Sequence, residues 1–147
     1  MDSNKEKRTQ KRVDRYDKVI ECLLKNGNPY NVAPMKLTNT KRNLIPYYMN
    51  ACSLHLITSD FEGSPNSVKE CMACDTKVVS TPVGNIDDLI GNIEGCYISK
   101  SFDYDELAKL AIKSLNYDDF NSRNMVFQKK LDLQSVSEKL YTIYKQI

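Results

Sequence analysis

The stretch Glu62-Gly63-Ser64-Pro65-Asn66-Ser67-Val68-Lys69-Glu70 sets two carboxylates eight positions apart around a Gly-Ser-Pro-Asn elbow. Ser64 suits an N-cap and Pro65 the first position of a helix over residues 65–74. Gly63 permits a sharp turn or the close approach of a ligand. The start of such a helix offers unpaired N–H groups and partial positive charge, which suit an anion and above all a phosphate. Glu70 lies two positions beyond Val68, about 200° around the helix by the 3.6-residue period, so it leaves the buried stripe. A carboxylate there accepts two hydrogen bonds, as paired ribose hydroxyls would supply. Glu62, just before the helix, could accept hydrogen bonds from a sugar. The same residues also read as an ordinary helix start, because acidic groups suit the positive end of a helix dipole.

Other chemistry is sparse. The five cysteines and single His55 show no metal-ligand spacing, and no metal site is expected. Cys71 and Cys74 form a C-x-x-C, but they fall near the end of a helix whose apolar face they help to build. Reduced, packed thiols are expected there rather than a redox pair. A net charge of +2 with 41% hydrophobic and 27% charged residues argues against a nucleic-acid surface. The basic start NKEKRTQKR suggests that residues 1–10 are a solvated, flexible N-terminus. No apolar run approaches the roughly 18 residues of a membrane span, and no signal-peptide core is present. A cytoplasmic protein is expected, with residues 11–147 forming one domain.

The elements that must position the elbow alternate. Residues 10–26 read as an amphipathic helix with Val13, Tyr16, Ile20, Leu23 and Leu24 on its apolar face and Asn26-Gly27 as its stop. Residues 31–37 suggest a short strand, at an edge or a bulge because of Pro34. Residues 41–51 suggest a short helix that starts near Pro46. Residues 53–59, 77–81 and 95–99 read as buried strands, with helices at 65–74 and 86–91 between them. Residues 103–115 form an amphipathic helix capped by Asp103, and residues 122–146 are mostly helical with Val136, Leu140, Ile143 and Tyr144 as an apolar stripe. This alternation predicts an α/β fold with a parallel sheet and flanking helices. In such sheets ligands bind beyond the carboxyl ends of the strands. Two loops qualify, Ser59–Asn66 and Thr81–Asn85, and parallel strands place both at one edge.

The run TSDFEGSPNSVKECMACDTKVVSTPVGNIDDLI, with IPYYMNACSLHLITS before it and YDELAKLAIKSL after it, resembles the C-terminal, Rossmann-like donor domain of retaining glycosyltransferases with two such domains (group 1, or family 4). That family carries two glutamates with seven residues between them on a strand-loop-helix, then an EAMACG-PVVST-VGG-PELI pattern. Here Lys77 stands where Pro is usual, Asp88 where Glu is usual, and Ser67 and Cys71 where larger aliphatic and Ala residues are common. The resemblance implies that Glu70 contacts the donor ribose and Glu62 the transferred sugar. It implies that Gly63, Ser64, Pro65 and Asn66 lie near the sugar and diphosphate, and that Ser59, Thr81, Val83 and Gly84 border the same pocket. The family's diphosphate clamp is an Arg and a Lys before the first helix. Lys11 matches the lysine. Five positions back lies Glu6, and Arg8 is the arginine nearest at hand, beside Lys5 and Lys7.

By this resemblance the chain is the donor-binding half of a retaining glycosyltransferase, shortened at its N-terminus, using a nucleotide-diphosphate sugar and no further cofactor. Such enzymes build cell-surface polysaccharides or glycoconjugates, some with peripheral membrane contact. The acceptor-binding domain would be separately encoded or lost, so the chain alone is expected to transfer weakly or not at all. The alternative is a non-catalytic nucleotide-binding or interaction module, a truncated remnant of the same fold.

Overall fold

The computed structural model describes residues 10–25 and 28–146. Helices α1 (Val13–Leu24), α2 (Ile45–Ala51), α3 (Asn66–Ala73), α4 (Ile86–Ile90), α5 (Tyr104–Leu115), α6 (Arg123–Gln128) and α7 (Leu133–Tyr144) flank strands β1 (Leu54–Ile57), β2 (Lys77–Ser80) and β3 (Tyr97–Ile98). The strands form one parallel sheet in the order β1-β2-β3, with Leu56 opposite Val79 and Val79 opposite Tyr97. The expected α/β architecture therefore holds.

The strand period of two divides the core. Val78 faces a cluster with Val68, Cys71, Met72, Ile86, Leu89 and Ile90, while Val79 faces Val19, Leu23, Leu107, Ala108 and Ala111. So α2, α3 and α4 cover one face of the sheet, and α1 and α5 the other. In α3, Val68, Cys71 and Met72 recur at the i, i+3, i+4 spacing and are fully buried. Burial pushes the Cys71 thiol well above its usual range, in keeping with a packed, unreactive group. Asp75 ends α3 in the left-handed region, φ 53°, where glycine is the usual residue. Amides of Asp75 and Thr76 close back on Met72 and Cys71 carbonyls at 3.3 and 2.9 Å. The Asp75 carboxylate accepts from the amides of Ser122 and Arg123 at 2.9 and 2.8 Å, which anchors α6. Asp103 caps α5 as expected, accepting from Glu106 N.

Several expectations need correction. Residues 31–37 form no strand. Asn28 instead bonds Val32 through both ends of its side chain, Nδ2 to the carbonyl at 3.1 Å and Oδ1 from the amide at 2.7 Å, and Pro34 offers no donor to a neighbour. Helix α2 starts one residue before Pro46, after a 3-10 turn at Arg42–Leu44. Pro65, not Ser64, holds the N-cap position of α3, and no side chain caps that helix. The buried face of α1 is Arg15, Val19 and Leu23, whereas Val13 and Leu24 are exposed. The proposed stop at Asn26-Gly27 lies outside the described residues. The tail divides into α6 and α7, and the stripe Val136, Leu140, Ile143, Tyr144 is exposed rather than packed.

Two contacts generate predictions. Gly84 has φ +52°, and a Cβ there would lie 2.0 Å from the Gly63 carbonyl oxygen. A Gly84→Ala variant should force the two loops apart and destabilise the fold by roughly 1–3 kcal/mol; an unchanged urea midpoint would refute this. His55 on β1 lies 3.3 Å through Nε2 from Ser67 Oγ on α3. Burial, with a smaller push from the charge of Lys11, holds its imidazole down at about 4 against an ordinary 6.5. A depressed folded-state value means that the unfolded chain takes the proton first. Stability should be intact above pH 6.5 and fall progressively toward pH 4, and His55→Gln should flatten that part of a pH series of urea melts.

Candidate functional site

The parallel strands deliver the β1–α3 loop and the β2–α4 loop to the same edge. Thr81 Oγ1 donates to the Ser59 carbonyl at 2.7 Å, and Asn85 N donates to the Gly63 carbonyl at 3.0 Å. These bonds make one surface of the two loops. The residue that must be glycine here is Gly84. A Cβ on Gly63 would meet nothing within 4 Å. Asn85 Oδ1 is buried and has no donor among the described residues.

A third segment, residues 10–15, is fastened across the β1–α3 loop. Asp60 N donates to the Gln10 carbonyl at 3.0 Å, and Gln10 Nε2 donates to the Phe61 carbonyl at 2.8 Å. Thr58 Oγ1 donates to the carbonyls of Lys11 and Arg12 at 3.0 and 3.2 Å. Arg15 is buried at 5% exposure. It donates to the Thr58 carbonyl at 2.5 Å and to Asp60 Oδ1 at 2.8 Å. Its guanidinium also lies 5.2 Å from the Phe102 ring centroid, on the loop after β3. Arg12 sits between two carboxylates, 3.1 Å from Asp60 Oδ2 and 2.8 Å from Asp14 Oδ2. The Arg12 hydrogen bonds hold the Asp14 carboxyl down at about 2. Desolvation acts to raise Asp60, but its bonds to Arg15 and Arg12 prevail and its carboxyl stays below the ordinary range.

This fastening brings Lys11 to Glu62. Their Nζ–Oε1 distance is 2.6 Å, and Ser59 Oγ donates to the same oxygen at 2.8 Å. Lys11 remains 62% exposed and the Glu62 side chain only 16%. The lysine can therefore turn outward, while the carboxylate is held at the loop. Beside them α3 begins without a side-chain cap. Val68 N donates to the Pro65 carbonyl at 3.1 Å, and no side chain among the described residues bonds the amides before it, at the positive end of the helix.

Of the residues singled out in the sequence, Lys11, Ser59 and Glu62 meet directly. Gly63 meets the Gly84 loop, and Ser64 and Asn66 are exposed at the start of α3. Pro65, Thr81 and Val83 are buried, so their side chains shape the edge from beneath. Glu70 stands apart. It lines an open groove of about 200 Å³ between α2 and α3, with Arg42, Ile45, Pro46, Met49, Ala73 and Cys74. Arg8 lies outside the described residues. Sequence reasoning missed Gln10, Arg12, Arg15, Thr58 and Asp60. A signal did exist: Arg15, Val19 and Leu23 recur every four residues, but a charged first member hid the stripe.

Among the described residues, no group of three His, Cys, Asp or Glu side chains could hold a metal ion, and no helix is long and apolar enough to cross a membrane. A comparison with curated proteins finds no match. The family of group 1 glycosyl transferases matches residues 20–116, which include both glutamates and both strand-edge loops. With more than half of its length matched, two carboxylates on the strand-loop-helix and a parallel sheet to carry them, this chain belongs to the group 1 glycosyl transferases.

Proposed function

We propose that the chain binds a nucleotide-diphosphate sugar and provides the donor side of a retaining sugar transfer. The observation that carries this reading is the meeting of Lys11 and Glu62, 2.6 Å apart, beside the uncapped start of α3 at the carboxyl edge of a parallel sheet. A cation and free helix amides suit a diphosphate. Glu62 is placed for the hydroxyls of the sugar, and Glu70, one turn along α3, for those of the ribose. The groove at Glu70 is also lined by Ala73 and Cys74, farther along α3 from the helix start.

The chemistry follows from those positions. The bond between the anomeric carbon and the diphosphate oxygen breaks, and the electron pair leaves with the diphosphate. Lys11 and the α3 amides stabilise the charge as it develops. The acceptor hydroxyl oxygen bonds to the anomeric carbon on the face the diphosphate leaves, so configuration is retained. The acceptor proton passes to the departing diphosphate oxygen. The products are a glycoside and a nucleoside diphosphate. The incoming diphosphate competes with Glu62 for Lys11, which releases the carboxylate toward the sugar. An acceptor-binding domain, on this polypeptide or separately encoded, supplies the other wall of the cleft, and the product is a cell-surface polysaccharide or glycoconjugate made on the cytoplasmic side. The described fold alone transfers weakly or not at all.

The exposed apolar stripe of α7 favours a second reading, a nucleotide-binding or interaction module that docks on a partner and performs no transfer.

Calorimetry with uridine and guanosine diphosphates tests the donor site. One of the two should bind. Lys11→Ala should weaken binding roughly ten- to a hundredfold, the range for a lost charge-assisted hydrogen bond. Glu70→Ala should also weaken it, whereas the exposed Lys109→Ala on α5 should not. Absence of binding to either nucleotide, or equal affinity in all four proteins, would sink the reading. Hydrolytic or transfer turnover of a nucleotide sugar by the chain, abolished by Glu62→Gln, would count against the interaction module.

A further inference from the structure

We infer that Asp60 is a positioning residue for the anion-binding end of this site: it fixes Arg12 and Arg15, and through them sets Lys11 over the β1–α3 loop. The inference rests on the donor-site reading and assigns a role to a carboxylate that touches no ligand.

Three cations gather at this edge, and their surroundings separate their tasks. Arg15 is buried at 5% exposure, with Asp60 as its carboxylate partner at 2.8 Å. Arg12 donates to Asp60 and Asp14 and is half-buried. Both guanidinium groups are therefore satisfied by the protein. Lys11 alone is mostly exposed, held by a single carboxylate that a ligand can displace.

The backbone shows why Asp60 decides where Lys11 points. Arg12 has φ 46°, a left-handed conformation that a side chain with a Cβ adopts at a cost. Such a residue persists only where its surroundings over-determine it. Here the Arg12 carbonyl accepts from Thr58 Oγ1 at 3.2 Å and from the amides of Arg15 and Tyr16 at 3.0 and 3.1 Å. Its guanidinium is held by the two aspartates. The Asp60 amide holds Gln10 from the other side, at 3.0 Å. Lys11 thus lies between two residues that Asp60 ties down, one through its backbone and one through its side chain. The left-handed turn at Arg12 sends α1 inward with Arg15 and leaves Lys11 over Glu62.

The test is a double-mutant cycle read on nucleoside diphosphate affinity, in the full chain, using whichever diphosphate the wild type binds. Asp60→Asn and Arg12→Gln should each weaken diphosphate binding roughly five- to tenfold, within the coupling range for residues of one network. In a Lys11→Ala background the same substitutions should change affinity less than twofold, because the group they position is gone. A merely structural role would lower affinity equally in both backgrounds, and that result would overturn the inference. Asp60→Asn strands the buried Arg15 and can unfold the chain, so Arg12→Gln, which keeps the Arg15–Asp60 pair, decides in that event. Wild-type affinity in a folded Arg12→Gln would overturn the inference while leaving the donor site standing. Failure of the wild type to bind any diphosphate would overturn both.

Discussion

The Arg15–Asp60 pair is the constraint on which the rest of the edge depends. Arg15 opens the buried stripe of α1, so the helix cannot pack on the sheet without taking a guanidinium out of water. A buried charge deprived of its partner costs about 3–5 kcal/mol. The fold meets that demand with the Thr58 carbonyl and the Asp60 carboxylate, both at the exit of β1, and with the face of Phe102 beyond β3. One side chain thus registers α1 against the exits of two strands. The apolar contacts of Val19 and Leu23 below are non-directional. The bonds of Arg15 to Thr58 and Asp60 are directional and fix the register.

Beyond that pair, the edge is a set of short crossings in which polar backbone is satisfied by polar side chains. Thr81 ties β2 to Ser59, Thr58 ties β1 to the segment before α1, and Gly84 lets the two loops touch. The consequence is an exposed surface with a firm base. Lys11, Glu62 and the first amides of α3 are all carried by backbone that is hydrogen-bonded elsewhere. Such support is what a site needs if it is to meet a charged group without rearranging.

Much of this was legible in the residues. The apolar runs around Leu54–Ile57 and Lys77–Ser80, the turn chemistry between them and the Asp103 cap depend on neighbours in sequence, and pattern reading reaches such features. So does the placement of the two loops at one edge, which follows from parallel strands. The segment at 10–15 shows in the residues as a helix start with Lys11 matched to a clamp lysine by resemblance. Its fastening across the β1–α3 loop does not show, because those partners lie across the fold and no local pattern encodes them. Arg15 interrupts the apolar stripe it begins, and the helical period marks Val13 and Leu24 as core although both are exposed. Pro34 weakens the case for a strand at 31–37, and the two hydrogen bonds between the Asn28 side chain and the Val32 backbone show what stands in its place. The spacing of Glu62 and Glu70 suggests a pair, yet the loop before α3 holds one against Lys11 and α3 carries the other into the groove at Arg42.

The partners at this edge are distant along the chain. Lys11 and Glu62 are separated by 51 positions, Arg15 and Asp60 by 45, and Thr81 and Ser59 by 22. Closing such loops spends conformational entropy that the contacts at the edge must return. A chain with most of its secondary structure but without the final crossings would have Lys11 loose, Glu62 unpaired and no surface between the loops. The finished edge, with Lys11 set on Glu62 and the two loops joined, is then only as durable as the hold of the segment before α1.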